Sequence, residues 1–281
     1  MSKAQCLCGD VSWQYTGQPT SAYHCHCAMC RKAHGASFAT YYFVNADQFS
    51  WLGDTVSIVD YQSSPTLTRC FCGKCGSVVP NIEDDGSSVF IPAGNHTTGH
   101  PVQGHIFTAS KAPWFNITDN LPQHLAYTPE DGDLPVYDKS PKDPSVADTL
   151  RGSCLCGGVT FRLTEPFKIV RNCFCERCRR ARSAAHTTNG FTSDEALIFT
   201  SGEDKIKTYK IPDAQFFTHA FCEDCGSGVP RIDANRKIAI TPLGALDDDP
   251  GECRIENIFT AYKPEWFELT DSLPTFAEGP G

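Results

Sequence analysis

The sequence has no run of about 18 apolar residues, which is roughly what a helix needs to cross a bilayer, so we expect no membrane partner. Positive charge is also scarce, because 24 Lys and Arg stand against 33 Asp and Glu, for a net charge of −9. Nucleic acid is therefore not an expected partner either, since its phosphates attract clustered basic residues. The first residues lack the apolar segment of a secretory signal, which favours a cytoplasmic, reducing compartment.

Long amphipathic helices are missing from the sequence, and short strand-like segments are frequent. Residues 11–15 and 159–163 alternate between apolar and polar side chains, while residues 88–92 and 237–241 are short runs with Val or Ile that stop at Pro. The 19 prolines and 22 glycines break the chain into short elements. The sequence therefore predicts an all-β fold with short strands and few short helices.

The 281 residues are about twice the length typical of one domain, and the chain repeats itself once. Residues 4–13 are echoed by residues 152–161, and residues 106–115 by residues 258–267. A Pro- and Asp-rich segment with little apolar surface to bury lies between the copies and is predicted to be a linker. The predicted division is a first domain at 1–127, a linker at 128–148 and a second domain at 149–281.

Sixteen cysteines dominate the composition. In a chain expected to be intracellular, clustered cysteines are more typical of metal sites than of disulfides. Their tight C-x-C and C-x-x-C spacing is also not what core packing alone would produce. Cys70 and Cys253 have no counterpart in the other copy, which leaves seven cysteines per copy. Seven is an odd number for disulfides, but it suits two zinc ions, one with four thiolates and one with three.

Two pairs in each copy are candidates for the four-thiolate site. A C-x-x-C-G pair can grip one ion while its glycine allows the tight turn, and a C-x-C-G pair near the start of the copy can close the tetrahedron. Spacing alone does not decide this, because the C-x-C-G pair could instead join the remaining cysteines. The pairs are Cys6 with Cys8 and Cys72 with Cys75 in the first copy, and Cys154 with Cys156 and Cys222 with Cys225 in the second.

The remaining cysteine trio of each copy is the candidate reactive site. Zinc with three protein ligands keeps a fourth position for water, a thiol or a carbonyl oxygen. The alternative is a closed site in which a histidine supplies the fourth ligand. His26 lies inside the first trio where the second copy has Phe174, so the two sites are not expected to be equivalent, and a catalytic histidine that moves protons would serve only the first. The trios are Cys25, Cys27 and Cys30, and Cys173, Cys175 and Cys178.

In this order the motifs resemble those of the glutathione-dependent formaldehyde-activating enzyme (GFA) family, which includes centromere protein V. Each copy has C-x-C-G before a strand, then C-x-C-x-x-C-R, then F-C-x-x-C-G, then I-F-T-x-x-K-x-x-W. The resemblance covers nearly the whole chain, and seven cysteines in one order make it specific. It implies two tandem β-tent-like domains, each stabilised by bound zinc.

The resemblance also implies how the metals divide and what they do. The C-x-C-G and C-x-x-C-G pairs would hold a structural zinc, and the trio a catalytic zinc, for up to four zinc ions per chain. The family's named reaction joins glutathione, the implied co-substrate, to formaldehyde and gives S-(hydroxymethyl)glutathione. The implied partners are thus a small thiol and a small aldehyde.

Basic residues stand beside both trios and are candidates for binding the carboxylates of glutathione, since guanidinium and ammonium groups pair with carboxylates. The alternative is an ordinary solvated face that offsets the negative thiolates. The candidates are Arg31, Lys32, Arg177, Arg179, Arg180 and Arg182.

Two classes of function follow. The leading hypothesis is a zinc-dependent carbon–sulfur lyase that acts on an adduct of an aldehyde with glutathione or a similar thiol. The alternative is a non-catalytic, zinc-stabilised module that binds another protein. A redox-sensing protein is a third interpretation, but it would need cysteines that are not bound to metal. The response of the trio's metal to a small thiol distinguishes the first two.

Overall fold

A computed structural model describes residues 1–83, 85–137, 149–212 and 214–280, so that residues 138–148 of the predicted linker lie outside the described residues. Strands dominate these ranges, and only two short α-helices accompany them, which confirms the all-β prediction. No helix within these ranges is long and apolar enough to span a bilayer. The helices are α1 (Ala28–His34) and α2 (Glu176–Arg182).

The described part of the first copy contains eleven strands in three small sheets. They are β1 (Ser2–Gln5), β2 (Ser12–Tyr15), β3 (Ser21–Cys25), β4 (Ala39–Asn45), β5 (Phe49–Trp51), β6 (Ile58–Ser64), β7 (Leu67–Cys72), β8 (Val78–Val79), β9 (Asn81–Ile82), β10 (Ser88–Pro92) and β11 (Gly104–Ile106). The sheet orders are β1-β2-β5, β11-β3-β4-β10-β9 and β6-β7-β8. Only β3 and β11 pair in parallel among these strands.

The second copy repeats this arrangement with ten strands in its described residues. They are β12 (Leu150–Ser153), β13 (Thr160–Leu163), β14 (Ile169–Cys173), β15 (Thr187–Ser193), β16 (Leu197–Ser201), β17 (Ile206–Tyr209), β18 (His219–Cys222), β19 (Arg231–Asp233), β20 (Ile238–Pro242) and β21 (Ile255–Ile258). The sheet orders are β12-β13-β16, β19-β20-β15-β14-β21 and β17-β18. Again a parallel pair, β14 with β21, stands at one edge of the five-stranded sheet.

Local sequence explains why the helices are short and where they begin. Cys27 caps the N-terminus of α1, and its Sγ accepts a hydrogen bond from the Cys30 backbone N–H at 3.3 Å. Gly35 ends the helix at a φ of 57°, in the left-handed region that glycine favours. In the second copy Cys175 is the N-cap of α2, and Ser183 ends that helix with a φ of 51°. Each trio is therefore built around the first turn of a helix.

The two copies pack against each other through reciprocal contacts. Helix α1 lies on the turn Leu243–Ala245 of the second copy, and helix α2 lies on the matching turn Ala93–Asn95 of the first. Thr118 and Thr270, which also match, contact each other with their Oγ1 atoms 2.5 Å apart. Such exchange of equivalent contacts is the mark of a two-fold axis, here an approximate one within a single chain. The boundaries at 1–127 and 149–281 stay a prediction.

Glycine at position 94 is required by this packing. A Cβ there would overlap the backbone of Ala184 across the interface. We expect Gly94→Ala to lower the free energy of unfolding by about 3 kcal/mol, because a backbone contact has little freedom to move aside. Gly53→Ala is the matched control, since a Cβ at Gly53 meets nothing within 4 Å. Urea unfolding of both variants checks this, and equal midpoints would contradict it.

Candidate metal centres and active site

The structure brings the C-x-C-G and C-x-x-C-G pairs of each copy together. The Sγ atoms of Cys6 and Cys8 lie 3.5 Å apart, and those of Cys8 and Cys72 lie 3.7 Å apart. A zinc tetrahedron with Zn–S bonds of about 2.3 Å places its sulfurs about 3.8 Å apart, so the cluster fits that ion. The C-x-C-G pair therefore lies beside the C-x-x-C-G pair and not beside the trio. The two clusters are Cys6, Cys8, Cys72 and Cys75, and Cys154, Cys156, Cys222 and Cys225.

Backbone N–H groups and turns hold these clusters in shape. The Val11 N–H points at Cys6 Sγ at 3.4 Å, and the Ser77 hydroxyl accepts from the Leu7 N–H at 3.0 Å. Gly76, directly after the last cysteine, has a φ of 74° that other residues rarely adopt. Four sulfurs leave no free position on a tetrahedral ion, so these sites are suited to a structural role.

The trios form the other two clusters. In each, the three sulfurs lie within 4.8 Å of one another, and no other His, Cys, Asp or Glu ligand atom of the described chain joins them. The alternative of a histidine that closes the site therefore finds no support in this geometry. Three thiolates suit zinc with one position left for an exchangeable ligand. The trios are Cys25, Cys27 and Cys30, which are buried, and Cys173, Cys175 and Cys178, of which the last two are half-buried.

A buried guanidinium stands beside the first trio. Arg69, on β7, points its Nη2 at Cys30 Sγ at 3.4 Å and its Nη1 at the hydroxyl of Tyr41 at 3.4 Å. Hydrogen bonds from the other two thiols of the trio, together with the Arg69 charge, hold the pKa of Cys30 well below its ordinary value. Negative charge is thus stabilised at this site by the protein itself.

A cavity of about 530 Å³ opens over the first trio. All three of its cysteines line the cavity, together with Arg69. Asp131, from the segment predicted to be a linker, also lines it. The aromatic lining residues are Tyr23, Tyr41, Phe43, Phe90, Phe107, Tyr127 and Tyr137. The second trio lines neither this cavity nor a smaller one of about 190 Å³ between the two copies.

Both copies match the family model described as glutathione-dependent formaldehyde-activating enzyme, at residues 1–110 and 149–262. The chain belongs to the GFA family. A provisionally named glutathione-dependent formaldehyde-activating enzyme of Halomonas elongata is 25% identical over 126 residues, covering 43% of this chain and 80% of the relative. A crystal structure of a Rhodobacter sphaeroides protein has a TM-score of 0.30 and 23% identity, covering 37% of this chain and 98% of that chain.

The two GFA copies place their buried cations on different elements. Counted from the matched cysteines, His219 stands where the first copy has Arg69, and Arg182 stands where it has His34. Arg182 is buried within electrostatic range of Cys178, and burial lowers the pKa of Arg182 to about 10. A guanidinium therefore accompanies each trio, from a strand in the first copy and from a helix in the second.

Of the basic residues that follow the trios in sequence, Lys32 and Arg179 join the two GFA copies, while Arg31 binds within its own copy. Lys32 Nζ lies 2.5 Å from Asp247 Oδ1, and Arg179 Nη1 donates to the Gly94 carbonyl at 3.3 Å. Arg31 Nη2 donates to the Ser110 carbonyl at 3.5 Å. Neither cavity is lined by any of the six candidates, Arg31, Lys32, Arg177, Arg179, Arg180 and Arg182. Their role as glutathione contacts stays a prediction.

His26 lies in a buried chain of polar groups. Its Nε2 is 2.9 Å from His105 Nδ1, and His105 Nε2 is 3.0 Å from Asp119 Oδ1. Burial lowers the pKa of His26 to about 3, so the ring is neutral at pH 7. His26 lines neither cavity, whereas His105 and Asp119 line the smaller one between the copies. A catalytic role for His26 stays a prediction.

Sequence reasoning missed Arg69 and Tyr41. The sequence of β7 does contain a signal for Arg69. Alternate residues of a strand share one face, so Arg69 lies on the same core-facing side as Phe71 although it is charged. A charge is rarely buried without a partner, and such a position therefore points to a nearby opposite charge.

Proposed function

We propose that the first trio is the reaction centre of a lyase that joins a thiol, glutathione in the first place, to an aldehyde and reverses this reaction. The observation that supports it best is the exposure of three cysteine sulfurs, with no fourth protein ligand among the described residues, to a large cavity beside a buried guanidinium. The second trio, which lines neither cavity, is assigned no part in the reaction.

The ligand set of the first trio fits zinc, because three thiolates gathered within 4.8 Å of one another are soft donors of the kind that zinc prefers. Zinc held there would lower the pKa of a thiol in the fourth position, so that the thiol reacts as its thiolate. Cys25, Cys27 and Cys30 would hold the ion, and the cavity would admit the aldehyde.

The reaction is an addition without net oxidation. The thiolate sulfur bonds to the carbonyl carbon, the π pair of the C=O bond moves to oxygen, and oxygen takes up one proton in place of the one that the thiol lost. Arg69 is the cation nearest to the sulfur ligands among the residues lining the cavity, so its positive field stabilises the negative charge that develops on that oxygen.

A chain of hydrogen bonds positions Arg69. Its Nη1 donates to Tyr41, the Tyr41 hydroxyl donates to His34 Nε2 at 2.7 Å, and His34 Nδ1 donates to the Arg182 carbonyl at 2.7 Å. Burial lowers the pKa of His34 to about 4, which keeps the ring neutral and fixes this direction of donation at pH 7. The second copy thus supports the site of the first.

Zinc content tests the proposal. We expect the four cysteine clusters to bind four zinc ions, of which two leave on dialysis against millimolar glutathione with a mild chelator, because only the trios have an open position. Elemental analysis counts the metal, and far-UV circular dichroism checks that the fold is kept. Four ions that never leave would instead favour the module that binds another protein.

A further inference from the structure

Besides the Arg69 guanidinium, apolar side chains surround the first trio. Cys25, Cys27 and Cys30 belong to one buried cluster with Met29 and Ile106, and all five residues line the cavity. Any group attached to the reacting carbon therefore enters an apolar environment within one or two bonds of the sulfur.

Aromatic side chains continue this surface away from the trio. Tyr23 and Tyr41 lie opposite each other on β3 and β4, as do Phe43 and Phe90 on β4 and β10, with the last two ring centroids 4.8 Å apart. Alternate residues of a strand share one face, so Cys25 lies on the face of Tyr23 and Tyr41. We call Tyr23, Tyr41, Phe43 and Phe90 the aromatic floor.

The fold does not require the two tyrosines of the aromatic floor. In the second copy the pair that matches Tyr23 and Tyr41 is Arg171 opposite Asn189. Arg171 Nε donates to Glu256 Oε1 at 2.7 Å, so this position there is polar and paired. The same sheet forms with tyrosines or with polar residues at this pair, so Tyr23 and Tyr41 are explained better by what the cavity binds, whereas Phe43 has a matching ring in Phe191.

Positive charge in the cavity lies beside the sulfur ligands, whereas the two carboxylates that line it, Glu83 and Asp131, are negative. Arg69 is the one cation among the described residues that line it, and it lies 3.4 Å from Cys30 Sγ. The charged ends of glutathione are several bonds away from its sulfur, whereas the substituent of the aldehyde is one bond from the reacting carbon. The apolar part of the cavity therefore matches the substituent of the aldehyde better than it matches the charged ends of glutathione.

We propose that the aldehyde used at the first trio carries an aromatic, ring-sized substituent that lies on the aromatic floor. This inference rests on the proposed lyase function and names its substrate class. The addition is the one already described, and its product is an S-(1-hydroxy-1-aryl-methyl) thioether. The cavity of about 530 Å³ falls within the roughly 300–1,000 Å³ of pockets that hold drug-sized ligands, so a ring fits beside the thiol.

Two stable thioethers test this with the zinc-loaded full chain. S-benzylglutathione resembles the aryl adduct, S-methylglutathione resembles the formaldehyde adduct, and neither reacts, so calorimetric titration reads binding alone. We expect the benzyl compound to bind at least about tenfold more tightly, because the ring leaves water for an apolar wall. In Tyr23→Ala the ratio of the two dissociation constants falls towards one, whereas Tyr23→Phe keeps the ratio of the unmodified chain.

Phe191→Ala is the matched control, since Phe191 is a half-buried ring on β15 at the position of Phe43 and lines neither cavity. We expect it to leave both affinities unchanged. Equal binding of the two thioethers to the unmodified chain would overturn the aromatic substrate class and leave the lyase proposal standing. Failure of both to bind would overturn the lyase proposal and this inference with it. Neither result depends on whether a variant folds.

Discussion

Cys27→Ser is expected to lower kcat/KM for the glutathione–formaldehyde adduct by about a thousandfold or more, because it removes a ligand from the metal centre that supplies the charge stabilisation. The fold should survive the change. Cys27 caps α1 by accepting the Cys30 N–H, and serine is among the residues most favoured at that position. Exchange spectroscopy of the adduct by NMR measures the rate, and zinc analysis confirms the loss of one ion.

Cys175→Ser provides the comparison within the same molecule. Cys175 occupies the same N-cap position in the second copy, but its trio lines neither cavity. We expect this variant to keep kcat/KM within about twofold, since none of the groups proposed to act on the substrate is touched. If both variants lose activity alike, the two copies act together and the assignment to the first trio is wrong.

Arg69→Met should reduce kcat/KM by about a hundredfold, the usual cost of losing one group aimed at developing negative charge. Methionine fills a similar space without the charge, and it leaves Cys30 and the Tyr41 hydroxyl without their guanidinium partner. The loss should appear in kcat more than in KM if the charge acts mainly on the transition state.

Arg69→Lys separates charge from geometry. Lysine keeps the positive charge but cannot contact two partners with the planar fork of arginine, so we expect an activity between those of Arg69→Met and the unmodified chain. Zinc per chain is measured in parallel, because a variant that has lost the metal of the trio says nothing about Arg69. A fully loaded Arg69→Met protein with normal kinetics would exclude Arg69 from the reaction.

Much of the clustering of the cysteines could be predicted from the sequence, because the spacing within each motif is local. The internal repeat separates Cys70 and Cys253 from the other fourteen cysteines without any structure, and the four clusters contain those fourteen. The pairing of the C-x-C-G and C-x-x-C-G cysteines could not be read from spacing, because it depends on the turn that brings Ser77 to the Leu7 N–H.

The cavity could not be predicted for two physical reasons. Its residues come from strands far apart in sequence, so the contact between Arg69 and Cys30 leaves no periodic signal. Successive residues of a helix point in different directions, and Lys32, although adjacent to the trio in sequence, turns towards Asp247 of the other copy. Closeness in sequence to a metal ligand was therefore a poor guide to which basic residues reach the cavity.

The approximate two-fold axis has a consequence for how such a protein can diverge. When two identical subunits form a dimer, every substitution appears at both sites at once. A duplication within one chain removes that restriction. Arginine and histidine illustrate the freedom gained, because the first copy has Arg69 and His34 where the second has His219 and Arg182. One copy can then adapt to a new substrate while the other copy preserves the shared architecture.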